Sequence, residues 1–290
     1  MRKIIILIPV YNDWDSLKKL IDEINVNIKE FNDIKFECLI INDASTIHQP
    51  KVIKPNKFES LNILNMRENK GHARCNAFGI RYVFQNKEFD NLIIMDGDGE
   101  DRPSEIKSLI KQIIKSPNIS VVAKRVKRSE GFFFQMLYQA HKLITIFFTG
   151  KNVNFGNYSI LIKADVEKLH SKASLWSSYS GSVKKYIKPL NEINSVRGLR
   201  YFGPSKMSLL KLIIHSLSIM AVFKYEVFLR SAILIVALMY LTSYLGNLLI
   251  FFQIILVIFS LIIFIVSKRE QEKELINSDK NLSEVISITH

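Results

Sequence analysis

The feature that most limits how this chain can fold is a long stretch without a charged residue. No Asp, Glu, Lys or Arg occurs from Ser231 to Val266, a run of 36 residues in a chain of 290. The hydrocarbon core of a bilayer is ~30 Å thick and takes about 20 helical residues to cross. The run is too long for one crossing and long enough for two, so it predicts a helical hairpin that turns near Gly246 and Asn247.

Basic residues flank this hairpin on both sides. Lys224 and Arg230 precede it, Lys268 and Arg269 follow it, and the segment SYLGN at the turn has no basic residue. Because cytoplasmic flanks carry the excess of Lys and Arg, both ends of the hairpin are predicted to lie in the cytosol. The alternative is a buried helical hairpin of a soluble protein, which the length of the uncharged run disfavours.

The formal net charge of +13 is concentrated in the middle of the chain. Lys and Arg outnumber Asp and Glu by 18 to 5 over residues 120–230, against 18 to 17 over residues 1–119 and 4 to 5 over residues 231–290. A basic region beside a membrane hairpin favours contact with anionic lipid headgroups or a phosphorylated substrate. Nucleic acid is not expected as a partner, since no helix-turn-helix, zinc-finger or RNP-like pattern accompanies the charge.

Short apolar segments alternate with helical patterns through the first half of the chain. The predicted strands are KIIILIPV, FECLIIND, LNILNM, NLIIMD and ISVVAKR, and helices are predicted over 17–28, 71–84 and 103–115. This order predicts an α/β fold with a mostly parallel sheet and helices on both faces. Ligands of such sheets bind beyond the carboxyl ends of the strands. Polar residues follow four of those ends, at 11–13, 42–43, 96–98 and 124–125.

The pattern is less regular after residue 125. It predicts a helix over 132–148, a strand NYSILIK and an amphipathic helix over 205–226 that lies in the membrane interface. The charged tail after Arg269 is predicted to be disordered. The expected division is an α/β domain over 1–204, the interfacial helix, two transmembrane helices over 227–267 and a cytosolic polar tail over 268–290.

The fourth predicted strand ends in a cluster of carboxylates. Asp96, Asp98, Glu100 and Asp101 follow the apolar residues 92–95. Carboxylates crowded together raise one another's pKa unless a positive charge lies among them. Two carboxylates separated by a glycine can face one point and bind a hard divalent cation through oxygen. A hard divalent cation such as Mg²⁺ is therefore the expected positive partner.

Five segments, in order along the chain, resemble the motifs of glycosyltransferase family 2. They are IPVYND at 8–13, INDAS at 41–45, ENKGHARCNAFGI at 68–80, MDGDGEDRPSEI at 95–106 and RYFGPSKMS at 200–208. The resemblance extends from residue 3 to about residue 230 and points to the membrane-bound branch that includes dolichyl-phosphate mannose synthase and bacterial polyprenyl-phosphate glucosyltransferases. It implies the GT-A fold, which is Rossmann-like. The chain has no Gln-x-x-Arg-Trp motif, which argues against a processive polysaccharide synthase.

The resemblance also implies roles for the residues that match each motif. Binding of a nucleotide-sugar donor is implied for Pro9, Tyr11, Asp13, Asp43, Lys70, Asp96 and Gly97. Binding of Mg²⁺ or Mn²⁺ is implied for Asp96, Asp98 and Glu100. Binding of an acceptor phosphate is implied for Arg125, Arg200, Ser205 and Lys206. Asp96, Asp98 and Arg125 are the residues expected to carry catalysis.

The motifs depart from the family pattern at five positions, none of which removes the acidic pair. The residues that differ from the usual ones are Asp13 for Glu, Asn42 for Asp, Ala44 for Gly, Glu100 for Gln and Asn154 for Asp.

Few carboxylates are available to serve as a general base. Between residues 120 and 230 they are Glu130, Asp165, Glu167, Glu192 and Glu226. A sugar hydroxyl needs such a base, whereas a phosphate acceptor is already anionic. Since the same region is rich in Lys and Arg, which bind phosphate, the favoured acceptor is a polyprenyl phosphate, which would be undecaprenyl phosphate in a bacterium.

The favoured function is therefore inverting, metal-dependent transfer of a sugar from a nucleotide sugar to polyprenyl phosphate. It would take place at the cytosolic face of a membrane, expected to be the bacterial inner membrane, in the synthesis of a cell-envelope polysaccharide. Two alternatives stay open. One is transfer to a hydroxyl of a lipid-linked saccharide, with Glu192 or Asp101 as base. The other, least favoured, is a non-catalytic membrane scaffold that binds nucleotide sugars. Self-association into a homo-oligomer is compatible with each.

Overall fold

The computed structural model describes residues 1–127, 132–203 and 208–288. The strands are β1 (Arg2–Val10), β2 (Ile34–Asn42), β3 (Phe58–Met66), β4 (Asn91–Ile94), β5 (Val121–Lys127), β6 (Phe155–Ile162), β7 (Asn191–Val196) and β8 (Leu282–Ile288). The helices are α1 (Trp14–Asn27), α2 (His72–Asn86), α3 (Ile106–Lys115), α4 (Phe132–Thr149), α5 (Lys163–Leu169), α6 (Tyr179–Tyr186), α7 (Leu209–Ala221), α8 (Lys224–Leu245), α9 (Leu248–Ser267) and α10 (Glu272–Ile276).

The strands of the described residues form one mixed sheet in the order β7-β5-β6-β4-β1-β2-β3-β8. The central strands β4, β1, β2 and β3 run parallel, while β6 and β8 run antiparallel to their neighbours. All five strands predicted in the first half of the chain are present. Val10 pairs with Asn42, and Leu7 pairs with Ile94, the last residue of β4. The polar residues that follow β1, β2 and β4 therefore meet at one edge of the sheet.

Helices cover both faces of the sheet because each buries one apolar stripe. On one face, α1 and α3 pack through fully buried residues that include Leu17 and Ile110. On the other, α2 and α6 pack through residues that include Phe78 and Val183. This layered arrangement is the mostly parallel α/β architecture expected from the sequence.

Among the described residues, two helices are long and apolar enough to cross a membrane. They are α8 and α9, joined at Gly246, which has a φ of 84°. Only 11% of the apolar window of each is buried, which is unlike the core helix of a soluble protein. The predicted hairpin, with its turn at Gly246, is thus present in the fold.

Two further apolar helices pack against this hairpin. The ring of Phe148 in α4 lies 4.6 Å from that of Phe259 in α9, and Met220 in α7 belongs to one buried cluster with Val227 and Ile263. Helix α7 lies within the range 205–226 predicted for the interfacial helix, and Ser208 is its N-cap. The helices α4, α7, α8 and α9 therefore form one apolar unit beside the sheet.

The prediction of a disordered tail is wrong. After α9 the chain forms α10, whose Leu275 is fully buried, and then β8, which pairs antiparallel with β3. The segment LSEVISI contains enough β-branched residues for an edge strand, which needs a partner on one side only. Its surrounding charges concealed that pattern.

The stretch 170–200, where the sequence predicts no element, contains α6 and β7. The strand β7 has the sequence NEINSV, with only Ile193 and Val196 apolar. Among the described residues it is an edge strand that pairs with β5. The N–H and C=O groups along the other edge of such a strand are open to solvent, so its sequence can be more polar than that of a central strand.

Candidate active site

The end of β4 approaches the end of β1 so closely that only glycine fits between the two strands. A Cβ atom on Gly97 would lie 2.8 Å from the carbonyl oxygen of Pro9, a distance that real Cβ atoms do not adopt. The predicted donor residues Pro9 and Gly97 are therefore neighbours, and the carboxylates of Asp96 and Asp98 flank this contact in the chain.

Asp96 is held by two side chains that the sequence did not point to. Its Oδ1 accepts a hydrogen bond of 2.9 Å from Nδ2 of Asn157 and lies 3.1 Å from Nε2 of His72. Desolvation opposes ionisation of Asp96, but the charge and hydrogen bond of His72 and the bond from Asn157 lower its pKa. Desolvation likewise opposes the charge on His72, and Asp96 nevertheless raises the pKa of His72. Nδ2 of Asn157 also lies 2.7 Å from Nε2 of His72, so Asp96, His72 and Asn157 form one polar cluster.

Asp98 faces Arg200, which arrives from the loop after β7. Nη1 of Arg200 donates a 2.8 Å hydrogen bond to Oδ2 of Asp98, and Nη2 contacts the carboxylate of Asp13. Desolvation and repulsion from Asp96 and Glu100 raise the pKa of Asp98 to about 6. Arg200 is predicted to bind the acceptor phosphate, but in the structure it contacts Asp98 and Asp13, which are predicted to bind the metal and the donor. Its acceptor role stays a prediction.

Glu100 and Asp101 have partners of their own. The carboxylate of Glu100 forms an ion pair with Arg197. Asp101 is 5% exposed, and its Oδ2 accepts a 2.9 Å hydrogen bond from the backbone N–H of Asp96. Desolvation and the charge of Asp96 raise the pKa of Asp101 to about 7. Asp101 therefore fixes the backbone at the start of the acidic segment.

Asp43, at the end of β2, organises the loop before α2. It is 4% exposed, and its carboxylate accepts hydrogen bonds from the backbone N–H groups of Lys70 (2.8 Å) and Gly71 (2.9 Å). Nζ of Lys70 forms an ion pair of 2.6 Å with Glu68. The structure brings the predicted donor residues Asp43 and Lys70 together, with Asp43 acting on the backbone of the loop.

The loop after β1 carries the other predicted donor residues. Tyr11 is 40% exposed at the rim. Asn12 and Ala44 both have positive φ, 51° and 54°, and Asn12 Oδ1 accepts a 2.8 Å hydrogen bond from the backbone of Thr46. Left-handed backbone costs about 1–2 kcal/mol for a residue with a Cβ, so the position of Ala44 is one that favours the glycine usual in the family.

Arg125 lies near the end of β5, and its backbone N–H donates a 3.1 Å hydrogen bond to the carbonyl of Asn154. Its charge lowers the pKa of Asp96, and a Cβ atom on Gly156 would collide with its guanidinium. Gly156 is followed in the chain by Asn157, whose side chain donates to Asp96, so Arg125 belongs to the surroundings of the acidic cluster. Ser205 and Lys206 lie outside the described residues.

The carboxylates considered as alternative bases are engaged elsewhere. Glu192 pairs with Lys124 at 3.3 Å. Asp165 is buried, accepts a 2.6 Å hydrogen bond from Ser120 and pairs with Lys168. Asp101 is bound to the backbone of Asp96, as described above. None of these three is free to approach a sugar hydroxyl without giving up its present partner.

The acidic segment has the donor chemistry for a divalent cation. In the part of the chain that the structure describes, no three His, Cys, Asp or Glu residues form a ready metal site. Mg²⁺ needs only one or two protein carboxylates when substrate phosphates supply the other oxygens. Burial and the neighbouring carboxylates raise the pKa of Asp98, so a bound cation would stabilise its ionised form. Asp96 and Asp98 fit a cation completed by a diphosphate. Both Asp98 and Glu100 already pair with an arginine, Arg200 and Arg197 respectively, so a cation would share or displace those pairs.

Comparison with protein families agrees with this geometry. The sequence profile described as Glycosyl transferase family 2 matches residues 5–177, which is more than half of the chain. The chain belongs to glycosyl transferase family 2. The matched residues of this glycosyltransferase run from β1 beyond α5 and include every described site residue discussed above except Glu192, Arg197 and Arg200.

Curated relatives of the glycosyltransferase are similar over most of this chain. It is 23% identical over 220 residues to undecaprenyl-phosphate 4-deoxy-4-formamido-L-arabinose transferase of Serratia proteamaculans, and 25% identical over 221 residues to the enzyme of that name from Yersinia enterocolitica. Each match covers 73% of this chain and 65% of the relative. The matched part is thus a little under two thirds of each relative.

Solved structures confirm the GT-A fold. The crystal structure of glucosyl-3-phosphoglycerate synthase from Mycobacterium tuberculosis, in complex with Mn²⁺, uridine-diphosphate-glucose and phosphoglyceric acid, superposes with a TM-score of 0.50 at 13% identity. The superposition covers 78% of this glycosyltransferase and 80% of the synthase. At that identity the likeness concerns the fold.

Proposed function

We propose that this glycosyltransferase transfers a sugar from a nucleotide-sugar donor to a polyprenyl phosphate at the surface of a membrane, with inversion at the anomeric carbon. The observation that carries the proposal is the position of Arg125. Its guanidinium lies against Gly156, which is followed in the chain by Asn157, whose side chain donates a hydrogen bond to Asp96. A phosphate delivered on an apolar chain would meet this arginine next to the acidic cluster.

The curated relatives support the same class of acceptor. Both carry the name undecaprenyl-phosphate transferase, and the apolar unit of α4, α7, α8 and α9 gives this chain a surface suited to a lipid-linked substrate. The basic flanks of the hairpin favour a cytosolic position for the α/β domain. Cytosol is also where nucleotide sugars are made, which suits a donor pocket on that side.

The donor would lie along the carboxyl ends of β1, β2 and β4. Asp43 fixes the backbone of Lys70 and Gly71 at one end of this line, and Asp96 and Asp98 lie at the other. These two carboxylates would hold Mg²⁺ or Mn²⁺ together with the donor diphosphate, where the cation supplies Lewis-acid stabilisation of the leaving group. The neighbouring loop contributes the positive charge of Arg200, which limits repulsion between Asp98 and Asp13.

The acceptor side needs orientation more than proton transfer. A phosphate oxygen is a nucleophile without a general base, and the guanidinium of Arg125 can hold a phosphate with two parallel hydrogen bonds. Glu192 and Asp101, the bases considered for a hydroxyl acceptor, are both bound to other groups. These engagements favour a phosphate acceptor over the hydroxyl of a lipid-linked saccharide.

A transfer assay tests the proposal directly. Full-length protein in detergent is incubated with Mg²⁺, radiolabelled nucleotide sugars and undecaprenyl phosphate, and the lipid products are separated by thin-layer chromatography. A product that mild acid hydrolyses indicates a sugar linked through phosphate and supports the proposal. An acid-stable product formed only with a lipid-linked saccharide indicates a hydroxyl acceptor, and binding of nucleotide sugars without any product indicates a scaffold.

A further inference from the structure

The C-terminal strand is fastened to the loop between β3 and α2 at the edge of the sheet where the site lies. Met66, the last residue of β3, pairs with Leu282, the first of β8. The residue before this strand, Asn281, makes three hydrogen bonds to the loop. Its carbonyl accepts from the backbone N–H of Arg67 (2.8 Å), its Oδ1 accepts from the N–H of Glu68 (3.0 Å), and its Nδ2 donates to the carbonyl of Glu68 (3.0 Å).

The same loop holds the carboxylate of Asp43 a few residues later. Glu68 forms an ion pair with Lys70, and the N–H groups of Lys70 and Gly71 donate to Asp43. Asn69 also donates from its side chain to the carbonyl of Asp43, over 3.1 Å. The loop is thus bound on one side by the C-terminal segment and on the other by a residue of the proposed donor pocket.

The loop also sets the position of His72, the first residue of α2. Gly71, which precedes it, has a φ of 89°, a conformation that glycine adopts at no steric cost. Nε2 of His72 then lies 3.1 Å from the carboxylate of Asp96. A displacement of the loop at Glu68 would therefore move both the N–H groups that bind Asp43 and the imidazole that contacts Asp96.

We propose that Asn281 is a positioning residue for the donor pocket, and that the C-terminal segment holds the loop of residues 67–72 in its binding conformation. This inference rests on the proposed function, because it assigns the loop to the nucleotide-sugar donor. It gives a role to a segment that lies beyond the two apolar helices and that the sequence predicts to be disordered. Asn281 contacts the backbone of the loop and acts through it.

The path of the chain makes this role dependent on the apolar helices. The segment starts at the end of α9, where Glu270 pairs with Lys224 at the start of α8 over 2.9 Å. It continues through α10, whose Leu275 is fully buried in the core on the α2 face. One continuous, packed stretch of chain therefore connects the hairpin to the loop of residues 67–72.

Two measurements on full-length protein in detergent test the inference. The first is hydrogen–deuterium exchange, by mass spectrometry, of peptides that cover residues 64–76. Loss of two side-chain hydrogen bonds in Asn281→Ala is expected to speed exchange there by about tenfold. Asn281→Asp keeps the acceptor oxygen and loses the donor, so its exchange is expected to lie between that of the wild type and that of Asn281→Ala.

The second measurement is the affinity for UDP, GDP, CDP and dTDP with Mg²⁺, by calorimetry, together with kinetic constants for the transfer. Asn281→Ala is expected to raise the dissociation constant of the nucleotide that binds the wild type by about three- to tenfold. The KM for undecaprenyl phosphate should stay unchanged, because the loop lies on the donor side. If Asn281 served stability alone, Asn281→Ala would lower the Tm without raising the dissociation constant of the nucleotide selectively over the KM for undecaprenyl phosphate.

Ser287→Ala is the matched control. Its hydroxyl donates a 2.8 Å hydrogen bond to Asn62 from the same strand, away from the loop. This variant should leave both the exchange of residues 64–76 and nucleotide affinity as in the wild type. Unchanged exchange in both Asn281 variants, or equal effects from Ser287→Ala, would overturn the inference. Failure of the wild type to bind any of the four nucleotides would instead refute the proposed function, while the exchange data would still report whether Asn281 holds the loop.

Discussion

Nη1 of Arg200 lies 2.8 Å from Oδ2 of Asp98, across a separation of 102 residues in the chain. The same guanidinium contacts Asp13, so one cation from the loop after β7 neutralises carboxylates that follow β1 and β4. A divalent cation bound to Asp98 would have to share that carboxylate with Arg200 or displace it. The arginine and the proposed metal are therefore expected to depend on each other.

Arg200→Ala tests this dependence through stability. Both partners are largely buried, with Arg200 15% exposed and Asp98 18% exposed, and removing one partner leaves a charge without compensation. We expect a loss of about 2–3 kcal/mol in the free energy of unfolding without divalent cations. Mg²⁺ should raise the Tm of Arg200→Ala more than that of the wild type, because the cation replaces the missing charge.

The exposed pair of Lys111 and Glu30, with nitrogen and oxygen 3.2 Å apart, provides the control for Arg200. Lys111→Ala should leave the stability close to that of the wild type, since exposed ion pairs contribute little, and its Tm should respond to Mg²⁺ as the wild type does. An equal response to Mg²⁺ in Arg200→Ala and wild type would mean that the arginine and the cation do not share Asp98.

A second prediction separates the two acidic residues assigned to the metal. Asp98→Asn is expected to lower the rate of transfer by at least about 100-fold, because a neutral amide binds a hard cation less well and the leaving diphosphate loses its stabilisation. Glu100→Gln is expected to lower the rate of transfer by less than about tenfold, because two carboxylates and the donor diphosphate suffice for the cation and Glu100 pairs with Arg197. Mg²⁺-dependent binding of the nucleotide sugar, measured by calorimetry, should be lost only in Asp98→Asn. Similar losses in both variants would restore Glu100 as a metal ligand.

The sequence predicts the centre of the fold better than its edges. Strands β1 to β4 are buried on both faces, so they read as continuous apolar runs such as KIIILIPV. The edge strands β7 and β8 have one open side and short, mixed sequences, which leaves them without a pattern that distinguishes them from loops. β8 was further concealed because it joins the sheet only after the chain has passed through α8 and α9.

The candidate site shows the same division. The residues that follow the parallel strands could be predicted, because the sheet brings those ends together whatever the side chains do. The partners of the carboxylates could not. Asn157 and Arg197 reach Asp96 and Glu100 from elements 61 and 97 residues away, and which polar side chain arrives there is decided by packing. His72 lay within a motif that resembled the family, but nothing in its spacing to Asp96 indicated a contact.

A third prediction concerns the apolar hairpin, and the structure allows a cleaner test than truncation. Deleting residues 227–290 would also remove β8 and Asn281. The ends of the hairpin are close, because Lys224 pairs with Glu270, so residues 226–268 can be replaced by about six Gly and Ser residues, which span roughly 13 Å. We expect this variant to keep its affinity for the nucleotide sugar and to be less strongly bound to the membrane fraction, where α4 and α7 remain.

Activity on acceptors of two lengths completes the test of the hairpin. The excised variant should lose most activity on a C55 polyprenyl phosphate in membranes and less on a short, water-soluble prenyl phosphate, because only the long chain needs an apolar surface. Full activity of the excised variant on the C55 acceptor in membranes would show that the enzyme does not need the hairpin to use a long-chain acceptor.

The last prediction concerns Arg125 and the acceptor phosphate. A Cβ atom on Gly156 would occupy the place of the Arg125 guanidinium, and the far end of an arginine side chain can move aside without disturbing the fold. Gly156→Ala is therefore expected to displace the guanidinium while leaving the free energy of unfolding within about 1 kcal/mol of the wild-type value. Arg125→Lys keeps the charge and loses the planar fork that binds phosphate in two places. Both variants should raise the KM for polyprenyl phosphate, or lower kcat, by about tenfold.

The control for Arg125 is Glu192→Gln, which removes the carboxylate considered as a general base for a hydroxyl acceptor. Its ion pair with Lys124 is partly exposed, with Glu192 36% and Lys124 41% exposed, so the variant should fold and transfer sugar at close to the wild-type rate. Donor affinity should be unchanged in all three variants, since Asp43 and the loop of residues 67–72 are left intact. Loss of transfer in Glu192→Gln, with Gly156→Ala and Arg125→Lys still active, would mean that the acceptor needs a base and is a hydroxyl, because an anionic phosphate would not depend on a carboxylate at β7.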